Sequence, residues 1–174
     1  AQNTNMKLLL VYNRSLTSSE ISALHSATNS RSNATLTINN SSDTTFSGTI
    51  KDNITTLGLT KSNSGILTLS GTNTYRGTTS ISAGTLNMTN ASALGGSSSG
   101  QGTTVADGAM LKISGGITVA EPITINGSGV SSDGAIYFLS GNNTYSGAIT
   151  LGSNSTITSD AGNQTISGTI NGAY

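Results

Sequence analysis

From about Asn33 onward, apolar residues recur in pairs separated by one residue: Leu36 and Ile38, Leu57 and Leu59, Leu67 and Leu69, Leu86 and Met88. The series continues with Leu111 and Ile113, Ile117 and Val119, and Ile123 and Ile125. A period of two places every second side chain on the same face, so these runs predict strands buried on one side. Between them lie Gly-Thr, Ser-Gly, Asn-Gly, Ala-Gly and Asp-Gly pairs, which supply the backbone freedom that tight corners need. The pattern ahead of Asn33 is different. Met6 to Tyr12 is a near-continuous apolar run, read as a strand in preference to a helix start. Leu16, Ile21 and Leu24 are roughly helically spaced behind Thr17 and Ser18, either of which can cap, so 17–26 is expected to be a short helix.

Comparing the chain with itself ties the strands together. Leu69-Ser70-Gly71-Thr72-Asn73-Thr74-Tyr75 returns 70 residues later as Leu139-Ser140-Gly141-Asn142-Asn143-Thr144-Tyr145, and Gly77 returns as Gly147. Phe46-Ser47-Gly48-Thr49-Ile50 has an echo in Ile166-Ser167-Gly168-Thr169-Ile170, 120 residues on. A coil of about 23 to 24 residues accommodates both offsets as three and five turns. Such a turn is too small to bury its apolar side alone and relies on its neighbours. Leu67, Leu69, Leu86, Met88, Leu111, Ile113, Ile123 and Ile125 are therefore expected inside. Carrying the 70-residue alignment back from the shared motif makes Tyr137 the equivalent of Leu67. Tyr137 is then inward, and Ile136 and Phe138 point out as a candidate self-association or partner patch.

Composition sharpens this reading. Ser (29), Thr (28), Asn (18) and Gly (22) make up more than half of the 174 residues, and only 33% are hydrophobic. Helices are poorly served by this mixture, and a conventional globular core would be thin. With only 8% charged residues and a single proline, the chain lacks the marks of charge-driven disorder or a proline-rich linker. Seven basic residues balance seven acidic ones without a basic run or interleaved aromatics, so nucleic acid is not an expected partner. The absence of cysteine removes disulfides, thiolate metal sites and cysteine nucleophiles. The longest apolar run, Leu8 to Val11, falls far short of the ~20 residues that span a bilayer, so membrane insertion of this segment is not expected. No basic and apolar leader precedes Ala1, so any export signal is expected to have been removed or to lie outside this sequence.

Leu67 to Gly95, LTLSGTNTYRGTTSISAGTLNMTNASALG, resembles the passenger-associated repeat of bacterial autotransporters. Lys61 to Gly65 is similar to the lead-in of that repeat, and Leu139 to Thr150 repeats its middle, so the resemblance covers about 57–174. It implies a right-handed parallel β-helix in an exported, cell-surface protein of a Gram-negative bacterium. The outer-membrane barrel of an autotransporter is missing from this sequence, and the second repeat copy is partial. Leu8 to Leu24, LLLVYNRSLTSSEISAL, is similar to the closing strand and helix of laminin-G-like, concanavalin-type jelly-roll domains.

Few residues suggest chemistry. His25 is the only histidine, which leaves His-based metal clusters and relay triads without partners. The carboxylates Glu20, Asp43, Asp52, Asp107, Glu121, Asp133 and Asp160 are scattered, so a paired-acid glycosidase would need the fold to bring distant acids together. Asp107-Gly108, Asp133-Gly134 and Asp160-Ala161-Gly162 read as turns, because the glycine-rich calcium nonapeptide is missing. Asn73, Tyr75, Asn143 and Tyr145 are the most motif-like positions. Asparagines can ladder between turns and tyrosines can cover the end of a rung, which outweighs a carbohydrate-binding edge as their role.

The expectation is thus an all-β protein: a β-solenoid over 34–174, with 1–33 adding a strand and helix that cap the first turn or are donated to the next subunit. The surface candidates are Met6, Leu8, Leu9, Leu10, Val11 and Tyr12, together with Ile136 and Phe138. The expected function is structural: a surface module that self-assembles head to tail or serves as an adhesin stalk, without enzymatic activity, cofactor or metal. A glycan-binding or protein-binding adhesin is the second reading, and a polysaccharide-degrading enzyme the third.

Overall fold

The computed structural model describes residues 9–10, 33–53, 55–97 and 101–172. Its strands coil into a parallel β-solenoid of about six turns with almost no helix. The first sheet has eight strands: β1 (Leu9–Leu10), β2 (Ala34–Asn39), β4 (Leu57–Ser62), β6 (Thr79–Ile81), β8 (Thr103–Val105), β11 (Ile123–Gly127), β14 (Ile149–Ser155) and β17 (Ile170–Asn171). The second has six: β3 (Thr44–Phe46), β5 (Ile66–Leu69), β7 (Gly84–Met88), β9 (Ala109–Ser114), β12 (Ile136–Ser140) and β15 (Ile157–Ser159). A third, shorter sheet stacks β10 (Thr118–Val119), β13 (Thr144–Tyr145) and β16 (Thr165–Ile166).

The inward faces form columns that run down the stack. Leu67, Leu86, Leu111 and Ile136 stand in register in the second sheet, beside Leu69, Met88, Ile113 and Phe138. All eight are buried, as are Ile123 and Ile125 of the first sheet. The alternation read from the sequence therefore assigned the interior correctly over most of the chain. Leu36 stands beside Leu59, and the same column continues through Thr79, Thr103, Ile123, Ile149 and Ile170. Its steps are 23, 20, 24, 20, 26 and 21 residues, so turn length varies while the column stays aligned. Corners and loops absorb the differences. The three steps from Thr79 to Ile149 make up the 70-residue echo.

Two expectations are corrected. Ile136 and Phe138 are buried, and Tyr137 between them is the half-exposed residue. The cause is a β-bulge: Phe138 pairs with Ile113, but Ser140 pairs with Ser114, so β12 carries one extra residue at Leu139. A one-residue slip exchanges the two faces of a strand. The alignment through the shared Leu-Ser-Gly motif is thus right after the bulge and inverted before it. The outward patch at Ile136 and Phe138 does not exist. The 120-residue echo also fails to mark equivalent places. Phe46 lies in β3 of the second sheet, where five turns lead to Ser159, whereas Ile166 lies in β16 of the third sheet.

At the first end, Leu9 and Leu10 pair in parallel with Thr37 and Ile38, which places β1 against its own chain. The other candidate residues of that run, Met6, Leu8, Val11 and Tyr12, lie outside the described residues, as do the expected helix at 17–26 and His25.

Candidate functional site

The motif residues are buried and join one turn to the next. Asn73 lies on the loop between β5 and β6; its Oδ1 accepts from the Ile50 amide of the preceding turn at 2.8 Å. Its Nδ2 donates to the Ala93 carbonyl of the following turn at 2.5 Å. Asn143 repeats the device. Its Oδ1 accepts from the Gly116 and Ile117 amides, both at 3.0 Å, and its Nδ2 donates to Gln164 Oε1 at 3.0 Å as well as to the Ser140 and Gly141 carbonyls. Asn40 makes a shorter bridge, from Nδ2 to the Ser42 carbonyl and to the Ile66 carbonyl one turn on. Each side-chain amide satisfies backbone groups that the irregular loops leave outside the sheet ladders, where an unpaired group would be costly.

The tyrosines two residues further on turn into the core. Tyr75 and Tyr145 are fully buried, and burial holds both phenols well above their ordinary pKa. Tyr75 Oη shares a 2.6 Å hydrogen bond with Thr79 Oγ1, and Tyr145 Oη donates to the Glu121 carbonyl at 2.8 Å. Gly77 and Gly147 complete the motif for a steric reason. A Cβ at Gly77 would collide with the Leu57 backbone, and one at Gly147 with that of Glu121. The stack is too close there for any side chain. Arg76 adds a clamp on the outside, with its Nε 3.0 Å from Asp52 Oδ1 and its amide 3.0 Å from Asp52 Oδ2, again across one turn.

Among the described residues a lysine and a glutamate are also buried in the interior, and neither was singled out as an interior group from the sequence. Lys61 fills the position between Ile38 and Ile81 in an otherwise apolar column and has no exposed surface. Its ammonium donates to the carbonyls of Ser62 (2.9 Å), Asn63 (2.7 Å) and Ala83 (3.2 Å), while burial lowers its pKa to about 8. The strict alternation Leu57, Leu59, Lys61 carried this signal. Glu121 is buried just before β11, where Thr103 Oγ1 donates to its Oε1 at 3.4 Å, and desolvation pushes its pKa up to about 7.

On the outer face of the second sheet, Lys112 Nζ stands 5.3 Å from the centre of the Tyr137 ring, and desolvation, followed by the neighbouring carboxylates of Asp160 and Asp133, raises the pKa of that phenol. The Asp-Gly segments are turns, with φ of 74° at Gly108, 118° at Gly134 and 87° at Gly162. Among the described residues, no three His, Asp or Glu side chains gather as a metal site requires.

The residues so joined coincide with a known repeat. Residues 59–88 and 136–155 match the family model of the passenger-associated-transport-repeat. These two segments are autotransporter passenger repeats. Comparison with curated proteins and with solved structures found no match to the chain. Each passenger repeat contains one Asn-Thr-Tyr motif with its glycine, so the sequence that defines the repeat is the sequence that bonds the turns. A passenger repeat implies an exported segment. No helix among the described residues is long and apolar enough to cross a membrane.

Proposed function

We propose that the chain is a structural segment of a cell-surface protein of a Gram-negative bacterium, an elongated stalk whose work is to hold length and shape outside the cell. The observation that carries this reading is the role of the motif residues. Asn73, Asn143, Tyr75 and Tyr145 face the interior and are engaged in joining turns. A side chain committed in this way is not free to meet a ligand, so the repeat is best explained as architecture.

The same reading includes stacking end to end. The last described turn presents Ile157, Ile166 and Ile170 in line with the apolar columns above them, and Ile170 is 51% exposed. A further turn in parallel register, from a second copy of the chain, would cover these residues and continue all three sheets, giving an open head-to-tail fibre. Sedimentation velocity and negative-stain imaging of the chain at micromolar concentration test this. Rods that lengthen with concentration and revert to single units in Ile170→Lys support stacking. Single units at every concentration would refute it and leave the stalk reading intact.

A further inference from the structure

Glu121 is buried just before β11, bonded to residues of the turns on either side. Its carboxyl accepts from Thr103 Oγ1 of β8 and its backbone carbonyl from Tyr145 Oη of β13, while the Tyr75 phenol, bonded to Thr79 of β6, lies close enough to feel its charge. Thr79 and Thr103 interrupt a column that is otherwise leucine and isoleucine, so the polar cluster is confined to the middle turns. The only titratable groups in it besides Glu121 are the two phenols, and both stay neutral throughout the range in which a carboxyl ionises. Lys61, the buried lysine, stands three turns away and four register positions further along the sheet, with its ammonium on three carbonyls. The one ion pair among the described residues, Arg76 with Asp52, leaves Glu121 without a counter-charge.

We propose that Glu121 makes the middle of the solenoid respond to pH: as the neutral acid it completes the buried cluster, and as the carboxylate it loosens the turns that hold β8, β11 and β13. A neutral carboxyl can accept from Thr103 and also donate a hydrogen bond within the cluster. The ionised form can only accept, and it must be held away from water without a cation. The sign follows from a folded-state pKa raised from 4.5 to about 7. Stability is fully present below about pH 4.5 and is lost as pH rises through about 7. Over that interval the folding equilibrium constant should fall by up to about 300-fold, or about 3 kcal/mol. Most folded proteins weaken in acid, and this cluster strengthens.

The chain contains two glutamates, Glu20 and Glu121, so selective 13C labelling of glutamate carboxyls yields two titration curves from the unmodified protein. One midpoint near 7 is expected. Two midpoints in the ordinary carboxylate range would overturn the proposal. Urea unfolding between pH 5 and 7.5 gives the second readout, comparing wild type with Glu121→Gln, which has the shape of the neutral acid. Wild type should weaken across this window while the variant changes far less. Equal slopes in the two proteins would also overturn it.

Discussion

Replacing Asn73 with alanine removes the bridge between three consecutive turns, and its cost can be worked from the groups left behind. The Ile50 amide loses its acceptor at 2.8 Å, and the Ala93 carbonyl loses its donor at 2.5 Å. Asn73 is buried, so water cannot readily replace the side chain. A buried backbone group left unpaired costs about 1–3 kcal/mol, which puts the substitution at about 2–6 kcal/mol. Against a total stability of about 5–15 kcal/mol for a typical domain, that is a large share. Because each turn leans only on its neighbours, the damage should be greatest around β3 to β7 and weaker towards β14. Urea unfolding followed by circular dichroism gives the total loss, and amide hydrogen exchange gives its location. Asn73→Asp separates hydrogen bonding from shape: it keeps an acceptor for Ile50 but loses the donor to Ala93 and buries a charge, so it should be no better than alanine. A loss under about 0.5 kcal/mol for Asn73→Ala, typical of an ordinary surface substitution, would refute the bridging role.

Two further substitutions test the interior. Phe138→Ser should cost about 3–5 kcal/mol in urea unfolding, as for other large-to-small changes in a core, since Phe138 continues the column of Leu69, Met88 and Ile113; near-neutrality would restore the outward assignment. For Lys61, a folded-state pKa lowered to about 8 means that stability is fully present above about pH 10.5 and is lost as pH falls through 8. The thermal midpoint of the wild type should therefore rise between pH 8 and 10.5 while that of Lys61→Met does not, and equal rises would place the ammonium in water.

The period-two alternation was enough to find the strands and most of the interior, because a stacked parallel sheet with one buried face imposes that period on each turn. The 70-residue echo was legible because three turns separate Tyr75 from Tyr145, and both sites require the same asparagine, tyrosine and glycine. The bulge at Leu139 was not legible, since an extra residue in a strand leaves no mark in composition, yet it inverts everything before it. The polar interior was half legible. Lys61 continued the inward alternation of Leu57 and Leu59, whereas Glu121 lies just before β11 and enters the core only because its loop folds in beside Tyr145. The bridging role of Asn73 and Asn143 followed from residue type, but their partners depend on loops of unequal length that only the three-dimensional stack brings together.

Residues far apart in sequence stand in one line, one turn apart. Thr37, Thr60, Ser80, Thr104, Thr124 and Thr150 occupy equivalent outward positions in the first sheet, although 20 to 26 residues separate neighbours. Pulsed electron–electron distance measurements between spin labels placed in pairs, Thr60 with Thr124, Thr60 with Thr150 and Thr37 with Thr150, read this spacing directly. The solenoid predicts distances that grow by about 4.8 Å per turn, near 14, 19 and 24 Å, whatever the number of residues in the intervening turns. Distances that do not increase in that order, or that follow sequence separation instead of turn count, would contradict it.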